Sequence, residues 1–136
     1  MIISAALLAT ALTVSLAHVE RMSDCVTRIS GIEAPTVLPR VVRVKEWTLG
    51  NDGSCCTDTG NTMRTGDIVL SAYYWRTRTI VLSASADNRE LVHELASDAY
   101  RMHHKWVFPT IAQRHEADVW AYTIHKWVGF VDGCDR

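Results

Sequence analysis

The first 17 residues form an apolar run that ends abruptly. MIISAALLATALTVSLA contains no charged side chain, and polar residues begin with HVERMSD. The run is shorter than the roughly 20 residues of a bilayer-spanning helix, and residues 15–17 (SLA) resemble a signal-peptide cleavage site. A cleaved signal peptide, an uncleaved membrane anchor and a buried N-terminal leader helix all remain open. We therefore divide the chain into a leader (1–17) and one domain (18–136).

Alternation of apolar and polar positions predicts β-strands in the middle of the chain. RVVRVKEWTL (40–49) alternates and is rich in valine, as a half-buried strand is. IVLSAYYW (68–75) and RTIVLSAS (78–85) predict the two strands of a hairpin. Residues 18–40 contain a glycine and two prolines and are predicted to be irregular. Residues 50–67 hold four of the seven glycines and predict a long loop.

The apolar period changes to three or four after residue 87, which predicts two helices. Asp87 followed by Glu90 is typical of a capping box, and the helix is expected to run to about Lys105. A second helix is expected from about Thr110 to Val128, with an apolar inner side formed by Ala117, Trp120, Ala121, Ile124 and Trp127. The predicted fold class is α+β, a small β-sheet followed by two packed helices.

Charge and cysteine usage narrow the class of protein. The 136-residue chain has a formal net charge of −1, and without a basic face we expect no nucleic-acid partner. Its four cysteines all follow the leader, which favours an exported (periplasmic or extracellular) or membrane-anchored protein with two disulfides. Cys55 and Cys56 are adjacent, so each is expected to reach Cys25 or Cys134. Four reduced thiols in a cytosolic protein are the alternative.

ELVHELASDAY (90–100) carries the candidate chemistry. In zinc peptidases, histidines at i and i+4 of a helix bind one metal, and the Glu after the first is the general base. His93 and Glu94 supply the first two parts, but Ser97 stands at i+4, and a hydroxyl is a poor zinc ligand. Glu116, at the start of the second helix, is expected to approach His93 because short antiparallel helices bring such positions together.

Residues 67–127 resemble the core of zincin-type metallopeptidases with a glutamate third ligand. That family arranges an edge strand that binds extended substrate, a helix with H-E-x-x-H and a helix with E-A-x-x-x-A. The resemblance implies that 78–85 lies beside a peptide or protein partner. It further implies that His93 and Glu116 are zinc ligands and that Glu94 is the general base. Because Ser97 replaces the second histidine, weak zinc binding and little or no proteolysis are expected.

Three functions therefore remain open: a degenerate zincin-like domain, an active zinc metallopeptidase with a non-standard ligand set, and a disulfide-stabilised binding module without enzymatic activity. Three other residues are candidate replacement ligands. Asp98 lies about 140° around the helix from His93, and His104 lies about 16 Å along the axis. His115 adjoins Glu116 and so points elsewhere on its helix. None of the three is a natural substitute. A membrane tether through residues 2–17 is a further expected contact.

Overall fold

A computed structural model describes residues 11–45, 47–48 and 68–136. Residues 1–10 of the leader, the predicted loop at 50–67 and its two cysteines lie outside the described residues. The described part is α+β, with a small mixed sheet and three helices. In chain order the elements are β1 (Leu12–Thr13), α1 (Leu16–Ser30), β2 (Arg40–Arg43), β3 (Trp47–Thr48), β4 (Ile68–Val69), β5 (Ser71–Tyr74), β6 (Thr79–Leu82), α2 (Asn88–His103) and α3 (Ile111–His125).

The main sheet has the strand order β1-β2-β6-β5, and β3 and β4 form a separate antiparallel pair. Strand β2 runs parallel to β6, with Val42 opposite Val81, and β5 runs antiparallel to β6, with Tyr73 opposite Ile80. The predicted hairpin is confirmed. The expectation that 78–85 forms an edge strand is wrong, because β6 is flanked by β2 and β5. Among the described strands, β5 occupies that edge of the sheet.

Helix α1 overturns the expectation that the chain is irregular from residue 18. Its buried side chains include Val19, Met22 and Val26, which are spaced three and four residues apart and so face one side of a helix. The Ser15 hydroxyl accepts a hydrogen bond from the His18 amide at the helix start. No helix in the described part of the chain is long and apolar enough to cross a bilayer.

Helices α2 and α3 begin where the sequence predicts them. Asp87 and Glu90 form the predicted capping box of α2, with the Glu90 carboxylate accepting from the Asp87 amide at 3.0 Å. Thr110 and Gln113 form a second box at the start of α3. The predicted inner side of α3 is largely buried, but Trp127 is half exposed because the helix ends at His125.

The helices cover one face of the sheet. Ile80 and Leu82 of β6 belong to the same buried cluster as Leu91 and Leu95 of α2, whereas Val81 joins a smaller cluster on the opposite face. This alternation follows from the two-residue period of a strand. Both faces of β6 are therefore buried, as its uninterrupted apolar sequence requires.

A disulfide between Cys25 and Cys134 joins α1 to the C-terminal segment. The two cysteines are 109 residues apart, and the bond closes almost the whole described domain into one loop. We expected Cys25 and Cys134 to bond to Cys55 and Cys56. In the structure, Cys25 and Cys134 are instead bonded to each other. That pairing prediction is wrong for Cys25 and Cys134.

A buried ion pair attaches α2 to the β5–β6 hairpin. The side chain of Asp98 is 1% exposed and accepts two hydrogen bonds from the Arg78 guanidinium, at 3.0 and 2.8 Å. The Tyr73 hydroxyl donates a third at 2.5 Å. The Arg101 guanidinium in turn donates to the Tyr73 hydroxyl at 3.0 Å. These contacts connect β5, the hairpin turn and α2 through one carboxylate.

Replacing Asp98 by alanine is expected to lower the free energy of unfolding by about 3 kcal/mol. The substitution leaves the Arg78 guanidinium and the Tyr73 hydroxyl without their shared acceptor in a mostly buried place. Asp24→Ala, at an exposed position of α1, is the matched control and is expected to change stability by less than about 0.5 kcal/mol. Urea unfolding measures both, and equal effects of the two variants would contradict this role of Asp98.

Candidate functional site

A cluster of two histidines and two carboxylates lies between α2 and α3, and all but the half-buried His125 are buried. His93 and Glu94 are each 7% exposed, and Asp118 is 9% exposed. The Nε2 atom of His93 lies 2.7 Å from Oδ1 of Asp118, and its Nδ1 lies 2.9 Å from Nδ1 of His125. The Glu94 carboxylate is 3.6 Å from the same Nε2. His93 thus stands at the centre of a chain of polar contacts.

The rotation of α2 about its axis explains which residues meet α3. Asp98 faces the hairpin, and His93 lies about 140° away around the helix, on the side that packs against α3. Asp118 and His125 are seven residues apart on α3, two helical turns along one side. The ring of Tyr122 covers His93 at a centroid distance of 4.6 Å. Anchoring Asp98 therefore also orients His93.

The two histidines have opposite pKa shifts. Burial lowers the pKa of His93, but the Asp118 hydrogen bond and the charges of Glu94 and Asp118 raise it more, so the net shift is upward. Burial and the neighbouring His93 lower the pKa of His125. A contact between two Nδ1 atoms needs one donor and one acceptor. The upward shift for His93 and the downward shift for His125 favour His93 as the donor: when His93 carries a proton on both nitrogens, the Nδ1 of a neutral His125 accepts.

Glu94 is the carboxyl group most affected by its surroundings. Burial raises its pKa to about 7, an increase that His93 partly offsets and the charge of Asp118 reinforces. A carboxyl group that titrates near neutrality can both release and accept a proton there, which is the property of a general base. The general-base role that the zincin resemblance implies for Glu94 stays a prediction.

Glu116 is not among the residues that meet His93. Its side chain is exposed, and its Oε2 accepts a hydrogen bond from the Tyr100 hydroxyl at 3.2 Å. It precedes Asp118 by two residues and so points about 200° away from it around α3. The structure places Asp118, rather than Glu116, opposite His93. Ser97 is buried one turn after His93, where the sequence places it.

The described arrangement does not have the geometry of a zinc site. Two ligands of one tetrahedral zinc lie about 3.3–3.5 Å apart, whereas His93 Nε2 and Asp118 Oδ1 are at the hydrogen-bond distance of 2.7 Å. Asp118 and His125 contact opposite nitrogens of the His93 ring, so one ion cannot take the place of both contacts. Among the described residues, no group of three or more His, Cys, Asp and Glu side chains is arranged to hold a metal.

Asp118 and His125 are the site residues that sequence reasoning missed. The signal was present for Asp118, which lies between Ala117 and Ala121 on the predicted inner side of α3. A carboxylate in such a stripe is buried and therefore needs a partner that can donate a hydrogen bond. His125 follows at seven residues on the same side. Their joint position points to His93 once the two helices are placed together.

Comparisons of the chain with known proteins give no match. No protein-family model matches it, and neither does a curated protein or a solved structure. The zincin resemblance therefore depends on the residues and on the order of elements alone.

The raised pKa of Glu94 sets the direction of a pH effect. Between the ordinary value of 4.5 and about 7, the folded protein keeps a proton that the unfolded chain releases. The contribution of Glu94 to stability therefore falls by about 3 kcal/mol as the pH rises through this window. His93, whose pKa is raised, changes in the same direction, because its contribution is present below pH 6.5 and is lost as the pH rises through the folded pKa.

Replacing Glu94 by glutamine removes the titrating carboxyl group while keeping its shape. The variant is expected to match the parent near pH 5 and to exceed its free energy of unfolding by up to about 3 kcal/mol at pH 8. Urea unfolding across this range checks the prediction. Glu33→Gln, at an exposed position, is the control and should show no such divergence. If the difference in free energy of unfolding between Glu94→Gln and the parent does not change with pH, the titration of the buried Glu94 carboxyl group is contradicted.

Proposed function

We propose that this chain is a degenerate zincin-like metallopeptidase domain with little or no proteolytic activity, exported or tethered to a membrane, that binds a peptide or protein partner. The observation that carries the proposal is the state of His93. Both of its ring nitrogens are hydrogen-bonded to side chains of α3, and Ser97 occupies the position one turn later. The first candidate ligand is therefore engaged, and the second is absent.

The protonation of His93 opposes metal binding. Imidazole binds zinc only through a deprotonated nitrogen, so binding must displace a proton. The upward shift in the pKa of His93 makes that displacement harder. Zinc would also have to break the 2.7 Å contact with Asp118 or the 2.9 Å contact with His125. These costs add to the loss of the ligand at position 97.

The arrangement of elements supports a zincin-like ancestry. A hairpin strand is followed by a helix that carries the His-Glu pair. A second, packed helix comes next, and it contains the sequence E-A-x-x-W-A from Glu116 onward. Glu94 keeps a pKa suited to a general base. In our proposal, the contacts between His93 and α3 replace the metal as the connection between the two helices. Their role is then structural, holding the helix pair that a partner contacts.

Two alternatives have observations in their favour. The convergence of His93, Asp118 and His125 favours an active zinc enzyme with a non-standard ligand set, provided that the His93 ring reorients when the metal binds. The Cys25–Cys134 bond favours a disulfide-stabilised binding module without an enzymatic past. Tight zinc binding by the parent chain would favour the first alternative over our proposal. Absence of zinc binding after a histidine is placed at position 97 would favour the second.

The decisive experiment is zinc titration of the parent chain and of Ser97→His, with a chromophoric chelator as competitor. The parent is expected to bind zinc weakly. A histidine at position 97 lies one turn from His93 and is expected to tighten binding about 100-fold or more. Ser97→Ala is the matched control and should remain as weak as the parent. Circular dichroism verifies that each variant is folded.

Adding Glu116→Gln or Asp118→Asn to the Ser97→His variant identifies the third ligand. If Glu116 takes that role, as the resemblance implies, only its substitution should weaken the restored binding. Stoichiometric zinc in the parent chain would contradict degeneracy and favour the active enzyme. A folded Ser97→His variant that binds no zinc would contradict the zincin-like build itself.

A further inference from the structure

The loop between α2 and α3, together with the first residue of α3, exposes a group of large apolar side chains. Phe108 is 80% exposed, Val107 66% and Ile111 63%. Single exposed apolar residues are ordinary, but three within five positions form a patch of the kind that marks an interaction site. Within the described part of the chain, the interior does not cover these side chains.

The loop is held in place rather than loosely attached. The buried Arg101 guanidinium donates to the carbonyl oxygens of Trp106 and Val107, at 2.8 and 3.0 Å. The Phe108 ring meets the buried Trp75 edge to face, at a centroid distance of 6.3 Å. These contacts fix the backbone while the apolar side chains point outward. The exposure is thus built into the fold of the loop.

The surroundings of this apolar patch are basic. Residues 99–115 contain three Arg or Lys residues and three histidines, and no Asp or Glu. Arg114 lies over the Trp75 ring at 4.7 Å, and Arg76 lies over it at 5.2 Å. Trp75 also contacts Phe108, so these two arginines stand beside the apolar loop, and Lys105 belongs to the loop itself. In a chain with a net charge of −1, Arg76, Lys105 and Arg114 therefore form a local group of cations beside this loop.

We propose that the α2–α3 loop docks the domain onto an anionic phospholipid surface. Phe108, Val107 and Ile111 enter the boundary between headgroups and acyl chains, and Arg76, Lys105 and Arg114 contact the lipid phosphates. The apolar side chains match the acyl layer of such a surface, and the surrounding cations match its anionic headgroups. Either group alone would bind the surface more weakly. This inference stands independently of zinc binding.

The aliphatic side chains distinguish a lipid surface from a nucleic acid, the other polyanion that a basic aromatic patch fits. Bases stack on aromatic rings and on guanidinium planes. Val107 and Ile111 have no π-face, so stacking with bases does not stabilise them. Transferring both side chains from water to an acyl environment lowers the free energy. The lipid surface uses all three exposed apolar residues, and for this reason the observations favour it.

Vesicle co-flotation of the full chain tests the proposal. Vesicles of zwitterionic lipid are compared with vesicles containing roughly one third anionic lipid, and stronger binding to the latter is expected. Phe108→Ser is expected to weaken binding to anionic vesicles about ten-fold or more. Lys105→Asn removes one cation and is expected to weaken it about five-fold. Asparagine suits this position because the φ angle of Lys105 is 58°.

Leu16→Ser is the matched control for loss of an exposed apolar side chain. Leu16 is 64% exposed at the start of α1, and that end of α1 meets the start of α2 through His18 and Asn88. The loop follows the other end of α2, about 24 Å away. Binding should therefore be unchanged in this variant.

Three results would overturn the proposal. Equal binding to both kinds of vesicle would remove the role of the cations. Binding lost in Leu16→Ser but kept in Phe108→Ser would place the contact at the apolar N-terminus. Anisotropy of a labelled single-stranded oligonucleotide completes the test: binding to it without binding to vesicles would identify the patch as a nucleic-acid surface.

Discussion

The carboxylate of Asp98 determines how the principal helix of this domain is set against the sheet. It is almost completely buried and receives three hydrogen bonds, two from Arg78 in the hairpin turn and one from Tyr73 of β5. Removing such a carboxylate takes the acceptor from the Tyr73 hydroxyl and leaves the Arg78 guanidinium with only the Val37 carbonyl, so this rotation of α2 is favoured. That rotation turns His93 and Ser97 toward α3. The Asp98–Arg78 ion pair on the hairpin side of α2 therefore also determines which residues of α2 face α3.

The site that results contains two histidines whose pKa values shift in opposite directions. When His93 carries a proton on both nitrogens, it donates to Asp118 and to His125, and the neutral His125 accepts. This chain of contacts joins two helices that also share apolar side chains in one cluster. An imidazole used in this way has no lone pair available for a metal. The missing histidine at position 97 and the engaged histidine at position 93 thus support the same conclusion about zinc.

Local signals in the sequence predicted the elements well. The capping box at Asp87 and the β-branched and aromatic runs of the hairpin each depend on residues a few positions apart, and each prediction was confirmed. Helix α1 was not predicted although Val19, Met22 and Val26 carry its period, because the polar residues, the glycine and the two prolines of 18–40 together predict an irregular segment. The zincin-like build and the leader remain predictions.

Long-range relationships were harder to predict. The central position of β6 depends on its pairing with β2, nearly 40 residues earlier. The apolar pattern of one strand does not show which other strand it pairs with. The meeting of His93 with Asp118 rather than Glu116 depends on how α3 is rotated relative to α2. The two carboxylates stand two residues apart in the first half and at the middle of α3, and only the packing of the two helices selects between them.

The protonation of His93 and His125 provides the most direct test of this account. Long-range ¹H–¹⁵N NMR correlations of the imidazoles at pH 6.5 report which ring nitrogens carry a proton. The account predicts that His93 is predominantly protonated on both nitrogens and that His125 is predominantly neutral, with its proton on Nε2. A neutral His93 beside a charged His125, or two histidines that titrate independently, would contradict it.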